Sequence, residues 1–182
     1  MDIHLEIKVV ERPPVKVLRT RQMAASSNKF EDRYRKLYRE AFSKKLQVVG
    51  APIAIYHNPN FDGQNEDLEV ALPVDKDDED VKEIPGGTYA CVIHNGPYGT
   101  LPMTYTLAGI WLAQKGYEIR GAPYDVYVRG GNDKILSPEQ YLTEIYLPVK
   151  TNDAQDLALN FDFGEDFGKA ADEILGAPDS DD

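Results

Sequence analysis

Two glutamates set in otherwise apolar, extended stretches are where this chain could do chemistry. Glu144 lies inside "YLTEIYLPV" (Tyr141 to Val149), and Glu69 lies inside the closely similar "LEVALPV" (Leu68 to Val74). A buried carboxylate left unpaired is costly, so a glutamate in such a strand calls for a partner. Side chains alternate across a strand, which puts Glu144 and Tyr146 on one face and Thr143, Ile145 and Leu147 on the other. By the same count Glu69 shares a face with Ala71, away from Val70 and Leu72. If helices cover the Ile145/Leu147 side, both carboxylates point away from them. Tyr56 and Tyr127 alternate with Ile55 and Val126 and are expected on the glutamate face as well. Aromatic faces attract cations by roughly 0.5–2 kcal/mol, and a carboxylate in partly dry surroundings strengthens that attraction. The pattern predicts a groove for an organic cation, lined by Glu144, Glu69, Tyr146, Tyr127 and Tyr56. The plainer alternative is a glutamate that simply meets water on the polar face of an antiparallel strand.

The elements that would position these residues can be read from periodicity. "DIHLEIKVV" alternates, with Ile3, Leu5, Ile7 and Val9 on one face, the period of a half-buried strand. Pro13 and Pro14 interrupt it, and "VKVLRT" resumes it. Phe30, Tyr34, Leu37, Ala41 and Phe42 then recur at helical spacing. Ser26, Ser27 or Asn28 can cap that helix, with Glu31 three residues after Asn28. "APIAIYH" and "DLEVALPV" follow as strands. The order strand, helix, strand, strand then repeats in "GGTYACVIHNG", "LPMTYTLAGIWLAQKG", "APYDVYVRGG" and "YLTEIYLPV", the second helix closed by Gly116. "APIAIY" at 51–56 answers "APYDVY" at 122–127. One such unit cannot cover its own apolar faces, so a duplicated unit implies a shared core. The expected fold is α+β: two β-α-β-β modules in pseudo-twofold tandem repeat, one antiparallel sheet, helices on one face, and a ligand groove between modules. Module one spans about 1–74 and module two about 85–150, within one domain of residues 1–150. The acidic run at 75–83 reads as a solvated linker, and residues 151–182 as an acidic C-terminal extension in which "EDFGKAADEIL" suggests a short helix.

Composition narrows the functions. Among 182 residues, 31 are acidic and 20 are Lys or Arg, for a net charge of −11. So acidic a surface repels phosphate backbones and argues against direct nucleic-acid binding. The lone cysteine, Cys91, excludes an intramolecular disulfide and a thiolate zinc cluster. His4, His57 and His94 show no metal-ligand spacing. No apolar run is long enough to span a membrane and no secretory leader opens the chain, so a cytoplasmic location is expected. Asn58, Asn60, Asp62, Gly63 and Glu69 fit a calcium-loop pattern, but Pro59 and flanks that read as strands argue against it. No Gly-rich phosphate loop or nucleophile elbow is present. Neither metal nor cofactor is expected.

The stretch from His94 to Val128, together with "LTEIYLPV", resembles the GyrI-like family of small-molecule-binding domains, which includes the effector-binding domains of AraC-type and MerR-type regulators. The resemblance covers roughly residues 3–150. Its most specific parts are the turn of His94, Gly96, Pro97 and Tyr98, the helix end with Trp111 and Gly116, and the strand with Thr143, Glu144 and Pro148. It implies that a glutamate matching Glu144 meets cationic effectors and that Trp111, otherwise a core residue on an apolar helix stripe, lies near the groove; Tyr98 is a further ligand-binding candidate, its plainer role being to cap a turn. No helix-turn-helix segment accompanies the domain, so a stand-alone binding protein for amphipathic or cationic organic compounds is the first expectation. Two alternatives follow from the same resemblance: a hydrolase of electrophilic cyclopropane-containing compounds with Glu69 and Glu144 as its catalytic carboxylates, and a protein partner role as an inhibitor of DNA gyrase.

Overall fold

The computed structural model describes residues 5–24, 30–57, 66–130 and 134–151. The proposed capping residues Ser26, Ser27 and Asn28, most of the calcium-like loop and the suggested C-terminal helix lie outside them. The described residues form nine strands and two α-helices: β1 (Glu6–Arg12), β2 (Val15–Ala24), α1 (Phe30–Ser43), β3 (Ile53–Tyr56), β4 (Glu66–Pro73), β5 (Val81–Ile84), β6 (Gly87–Asn95), α2 (Leu101–Gln114), β7 (Tyr117–Ile119), β8 (Tyr124–Arg129) and β9 (Leu142–Thr151). The fold is mixed α+β with a large antiparallel sheet. Its strand order is β1-β6-β9-β8-β3-β4-β2-β5, and β7 pairs with β9 off that path. Among the described residues, no helix is long and apolar enough to cross a membrane.

The two sheet edges are tied together. β1 pairs with β6 up to Arg12 opposite Gly87, and β2 pairs with β5 from Val15 opposite Ile84. Only Pro13–Pro14 and Pro85–Gly86 intervene. One antiparallel ribbon thus turns a corner and supplies both edges of the sheet, so the sheet rolls at that end. Proline lacks the N–H that would continue the ladder through the corner. The two linkers run in close contact: a Cβ on Gly86 would stand 2.8 Å from Arg12 O and 2.8 Å from Pro14 N. Gly86→Ala is therefore expected to lower unfolding stability by about 1–3 kcal/mol, the usual cost of forced overpacking, measurable by urea denaturation. The acidic stretch at 75–83 is more than the expected solvated linker. It enters β5, and Asp78 and Asp80 clamp Lys44 at 3.0 and 2.5 Å.

Alternation sorts the strands into two faces. On one face α1 packs against Leu18, Val70, Leu72 and Val74 through Tyr34, Leu37 and Ala41. On the same side α2 packs against Ala90, Val92, Ile145, Leu147 and Val149 through Leu107, Ala108, Trp111 and Leu112. The other face carries Val17, Ile53, Ile55, Ala71, Ile84, Tyr89, Cys91, Tyr124 and Tyr146. Neither helix belongs to that cluster, and rolling is what buries it. Gly116, at φ +77°, ends α2 in the left-handed conformation that glycine adopts without steric cost.

Candidate functional site

The residues expected to share one groove divide between the two faces. Glu69 and Glu144 are on the rolled face, as alternation requires: Glu69 pairs with Ile55 and Glu144 with Val126. Tyr146 joins them, packing on Tyr124 at 5.2 Å between ring centroids. Tyr56 and Tyr127 are on the opposite, helix-covered face. The count that placed them with the glutamates took Ile55 and Val126 as facing the helices, whereas both lie on the rolled face with Tyr124 and Tyr146.

Neither glutamate is a bare carboxylate. Glu69 is buried and held by Arg19 Nε at 3.0 Å and His57 Nε2 at 2.8 Å. Each of its two oxygens thus has a partner, which ties the side chain into the structure. Removing one member of a buried pair strands the other, and Arg19 and His57 retain some solvent. Glu69→Gln is expected to cost about 1–3 kcal/mol of unfolding free energy, read from the shift in the denaturation midpoint. Glu144 is half-buried and accepts the Tyr146 hydroxyl at 2.6 Å. Glutamine keeps an acceptor there, so Glu144→Gln should leave stability within about 0.5 kcal/mol, checked in the same experiment.

The helix face holds a different constellation. Asp125 is completely buried in β8, directly opposite Ala54 of β3. Tyr105 of α2 donates to its Oδ1 at 2.5 Å, while its Oδ2 is buried with no hydrogen-bond partner. The surroundings are phenolic. Tyr56 and Tyr127 place their hydroxyls 3.3 Å apart, and the Tyr56 ring meets Tyr105 edge-on at 6.1 Å. Tyr34 of α1 donates to Ile53 O at 2.5 Å. Tyr98, partly exposed, lies edge-on to Tyr127 at 5.3 Å and tilted against Tyr141 at 5.0 Å. Both helices thus send a tyrosine to the line where β3 and β8 meet.

Electrostatics follow from burial. Desolvation raises the Asp125 carboxyl to about 6, with the neighbouring Tyr105 and Tyr56 hydroxyls opposing the rise. Burial, with Asp125 nearby, pushes the Tyr56, Tyr105 and Tyr127 phenols well above their ordinary range. No Lys, Arg or His forms an ion pair with Asp125 among the described residues. An acid that ionises near neutrality, with one oxygen unsatisfied and tyrosines around it, is prepared for a positive charge or for a proton.

Asp125, Tyr105 and Tyr34 were not among the candidates from sequence. The signal was present in the repeat, where "APYDVY" carries an aspartate at the position of Ala54 in "APIAIY". Trp111 stacks on Tyr117 at 5.8 Å within the core under α2. His94 is buried and bound to Thr104 Oγ1 at 2.8 Å and Pro97 O at 3.1 Å, which fixes the turn leading to α2. No cluster of three or more metal-ligating side chains occurs among the described residues.

A sequence model of the GyrI-like small molecule binding domain matches residues 5–150. Among solved structures, EcmrR in a DNA complex aligns with a TM-score of 0.73 and 22% identity over 81% of this chain. This chain spans 58% of the length of that EcmrR chain but 98% of the EcmrR C-terminal domain solved alone, at a TM-score of 0.67 and 23% identity over 81% of this chain. A hydrolase encoded by lin2189 from Listeria innocua aligns at 0.60 with 15% identity, over 79% of this chain and 91% of its own. SAV2435 bound to tetraphenylphosphonium aligns at 0.50 with 15% identity, over 79% and 93%. The comparison with curated protein sequences gives no match. At these identities the structural likeness is one of fold, while the family match takes in nearly all of the described core; the chain belongs to the GyrI-like small-molecule-binding domain family.

Proposed function

We propose that this protein captures amphipathic organic cations between α1 and α2, with Asp125 as counter-ion and Tyr34, Tyr56, Tyr98, Tyr105 and Tyr127 as the aromatic wall. The observation that carries the reading is the buried Asp125 carboxylate with a partnerless Oδ2. Such an oxygen costs about 1–3 kcal/mol to leave unsatisfied, and a cation would recover that cost. The rings add cation–π attraction of roughly 0.5–2 kcal/mol each. That SAV2435 is seen with tetraphenylphosphonium on the same fold supports the choice of ligand class. Glu144 and Tyr146, with Glu69, are on the opposite face of the sheet and have no part in this proposed site.

The Asp125 site also fits a two-module reading. Tyr56 and Tyr127 are 71 positions apart, and the β3–β8 register pairs Ile53 with Val126, Ala54 with Asp125 and Ile55 with Tyr124. Shifting by that interval maps this ladder onto itself, as two equivalent strands about a twofold axis would require. Asp125 then stands at the axis, where the related halves and their helices meet. Calorimetric titration with tetraphenylphosphonium tests the proposal. One saturable site is expected at pH 7.5, with affinity falling as pH drops below about 6, where a proton competes for Asp125. No saturable binding at any pH would reject it.

A hydrolytic reading has one observation in its favour. An aspartate ionising near 6 beside the Tyr105 hydroxyl is matched to general-base work at neutral pH, and the lin2189 protein of like fold is a hydrolase. Asp125, rather than Glu69, would be the base. Mass spectrometry of an electrophilic cyclopropane compound after incubation distinguishes the two readings: addition of water indicates turnover, and recovery unchanged indicates capture.

A further inference from the structure

We propose a second site, on the rolled face, for a small molecule bearing an oxyanion, which seats on Arg12 and Arg120 above the Tyr89/Tyr124/Tyr146 cluster. The three rings are mutually packed, with centroids 5.6, 6.2 and 5.2 Å apart. The Arg12 guanidinium lies 3.7 Å from the Tyr146 ring centroid and 5.7 Å from that of Tyr124. Arg120 lies 5.5 Å from the Tyr89 centroid. Two guanidinium groups thus cap one aromatic platform at the corner where the sheet edges meet.

Their donors are underused. Arg12 makes no side-chain hydrogen bond to an acceptor among the described residues, and its Nη1 is buried without a partner. Arg120 donates to two carbonyls, Val149 O at 3.1 Å and Thr88 O at 3.4 Å, and lies beside the Tyr89 ring. No carboxylate forms an ion pair with either among the described residues. The adjacent carboxylate, Glu144, takes the Tyr146 hydroxyl instead. This is unusual in a chain of net charge −11, where acidic side chains are plentiful. Burial raises the Tyr89 phenol, and the charges of Arg120 and Arg12 both oppose that rise, consistent with the two arginines sharing one field. The Arg120 guanidinium lies over Gly87, whose φ is +132°, and a Cβ there would stand 2.5 Å from Nη2 and push the guanidinium aside.

Guanidinium groups on aromatic faces keep their in-plane donors free, and planar carboxylates match that fork in bidentate fashion. Arg120 is exposed and Arg12 half-buried, so an anion can approach from solvent. The site is independent of Asp125, which faces the other side of the sheet.

The test is calorimetry on the full chain with two probes, benzoate and inorganic phosphate, alongside arginine side-chain NMR. Saturable binding of at least one probe is expected, with shifts at Arg12 and Arg120. Preference for benzoate would mark a flat carboxylate ligand, and preference for phosphate a phosphorylated one. Arg12→Lys retains charge but loses the fork, and should weaken binding about tenfold, the scale of one charge-assisted hydrogen bond. Arg120→Gln should weaken it likewise, and since its side chain is exposed this variant keeps the test valid if Arg12→Lys misfolds. Asp125→Asn should leave it unchanged. Absence of saturable binding of both probes, or affinity unaltered in Arg120→Gln, would overturn the site.

Discussion

Asp125→Asn is expected to weaken tetraphenylphosphonium binding by about ten- to a hundredfold while making the protein more stable at neutral pH. The loss corresponds to roughly 1.5–3 kcal/mol for removing a charged contact. The gain in stability comes from the same burial. The Asp125 carboxyl is raised from 3.8 to about 6 in the fold, so ionising it in place costs about 3 kcal/mol at pH 7 relative to the unfolded chain. Between those two values the folded state holds a proton that the unfolded state has lost. Stability from this group therefore falls as pH rises from about 4 through 6, and returns as pH is lowered. Asparagine keeps an oxygen for the Tyr105 hydroxyl and removes the charge, so its variant should lack that pH dependence. Thermal unfolding from pH 4 to 8, with and without ligand, measures both effects. A lower melting temperature at pH 7.5 together with unchanged affinity would make Asp125 a structural residue.

Tyr124→Ala should have the largest effect on stability. The ring is 1% exposed and stacks on Tyr146 while meeting Tyr89 edge-on. It fills the inside of the roll, where no helix can move in to close a cavity. Large-to-alanine changes at such aromatic positions cost about 3–5 kcal/mol. That loss, read from chemical denaturation, is a large part of a domain's ordinary 5–15 kcal/mol. Tyr124→Phe should recover most of it, since no hydrogen bond from the Tyr124 hydroxyl to the described residues is seen and packing is what the ring provides. A loss below about 1 kcal/mol for the alanine variant would mean that the rolled face repacks freely.

The sequence by itself determined the periodicities. Alternation in β4, β6 and β9 and the three-to-four spacing in α1 and α2 were legible because each reports on local geometry, with a period of two for strands and 3.6 for helices. The family was legible for a related reason: the turn at Gly96–Tyr98, the end of α2 at Gly116 and the β9 strand are contiguous words in the chain. The placement of Glu69 and Glu144 on one face needed only alternation within single strands. What alternation does not supply is the sign of a face, meaning which side of each strand the helices cover. That sign is set when α1 and α2 dock, through Leu37 and Ala41 on one hand and Ala108 and Trp111 on the other. It turned Tyr56 and Tyr127 toward Asp125 and away from the glutamates. The rolling of the sheet was likewise a tertiary decision. Pro13–Pro14 and Pro85–Gly86 look like ordinary breaks in one dimension, and become a corner only when β1 pairs with β6 and β2 with β5. The partners of charged groups were beyond sequence for the same reason. Arg19 meets Glu69 across fifty positions of chain, and Asp125 meets Tyr105 across twenty, because pairing across a sheet and packing of a helix upon it bring together residues whose separation along the chain carries no trace of the contact.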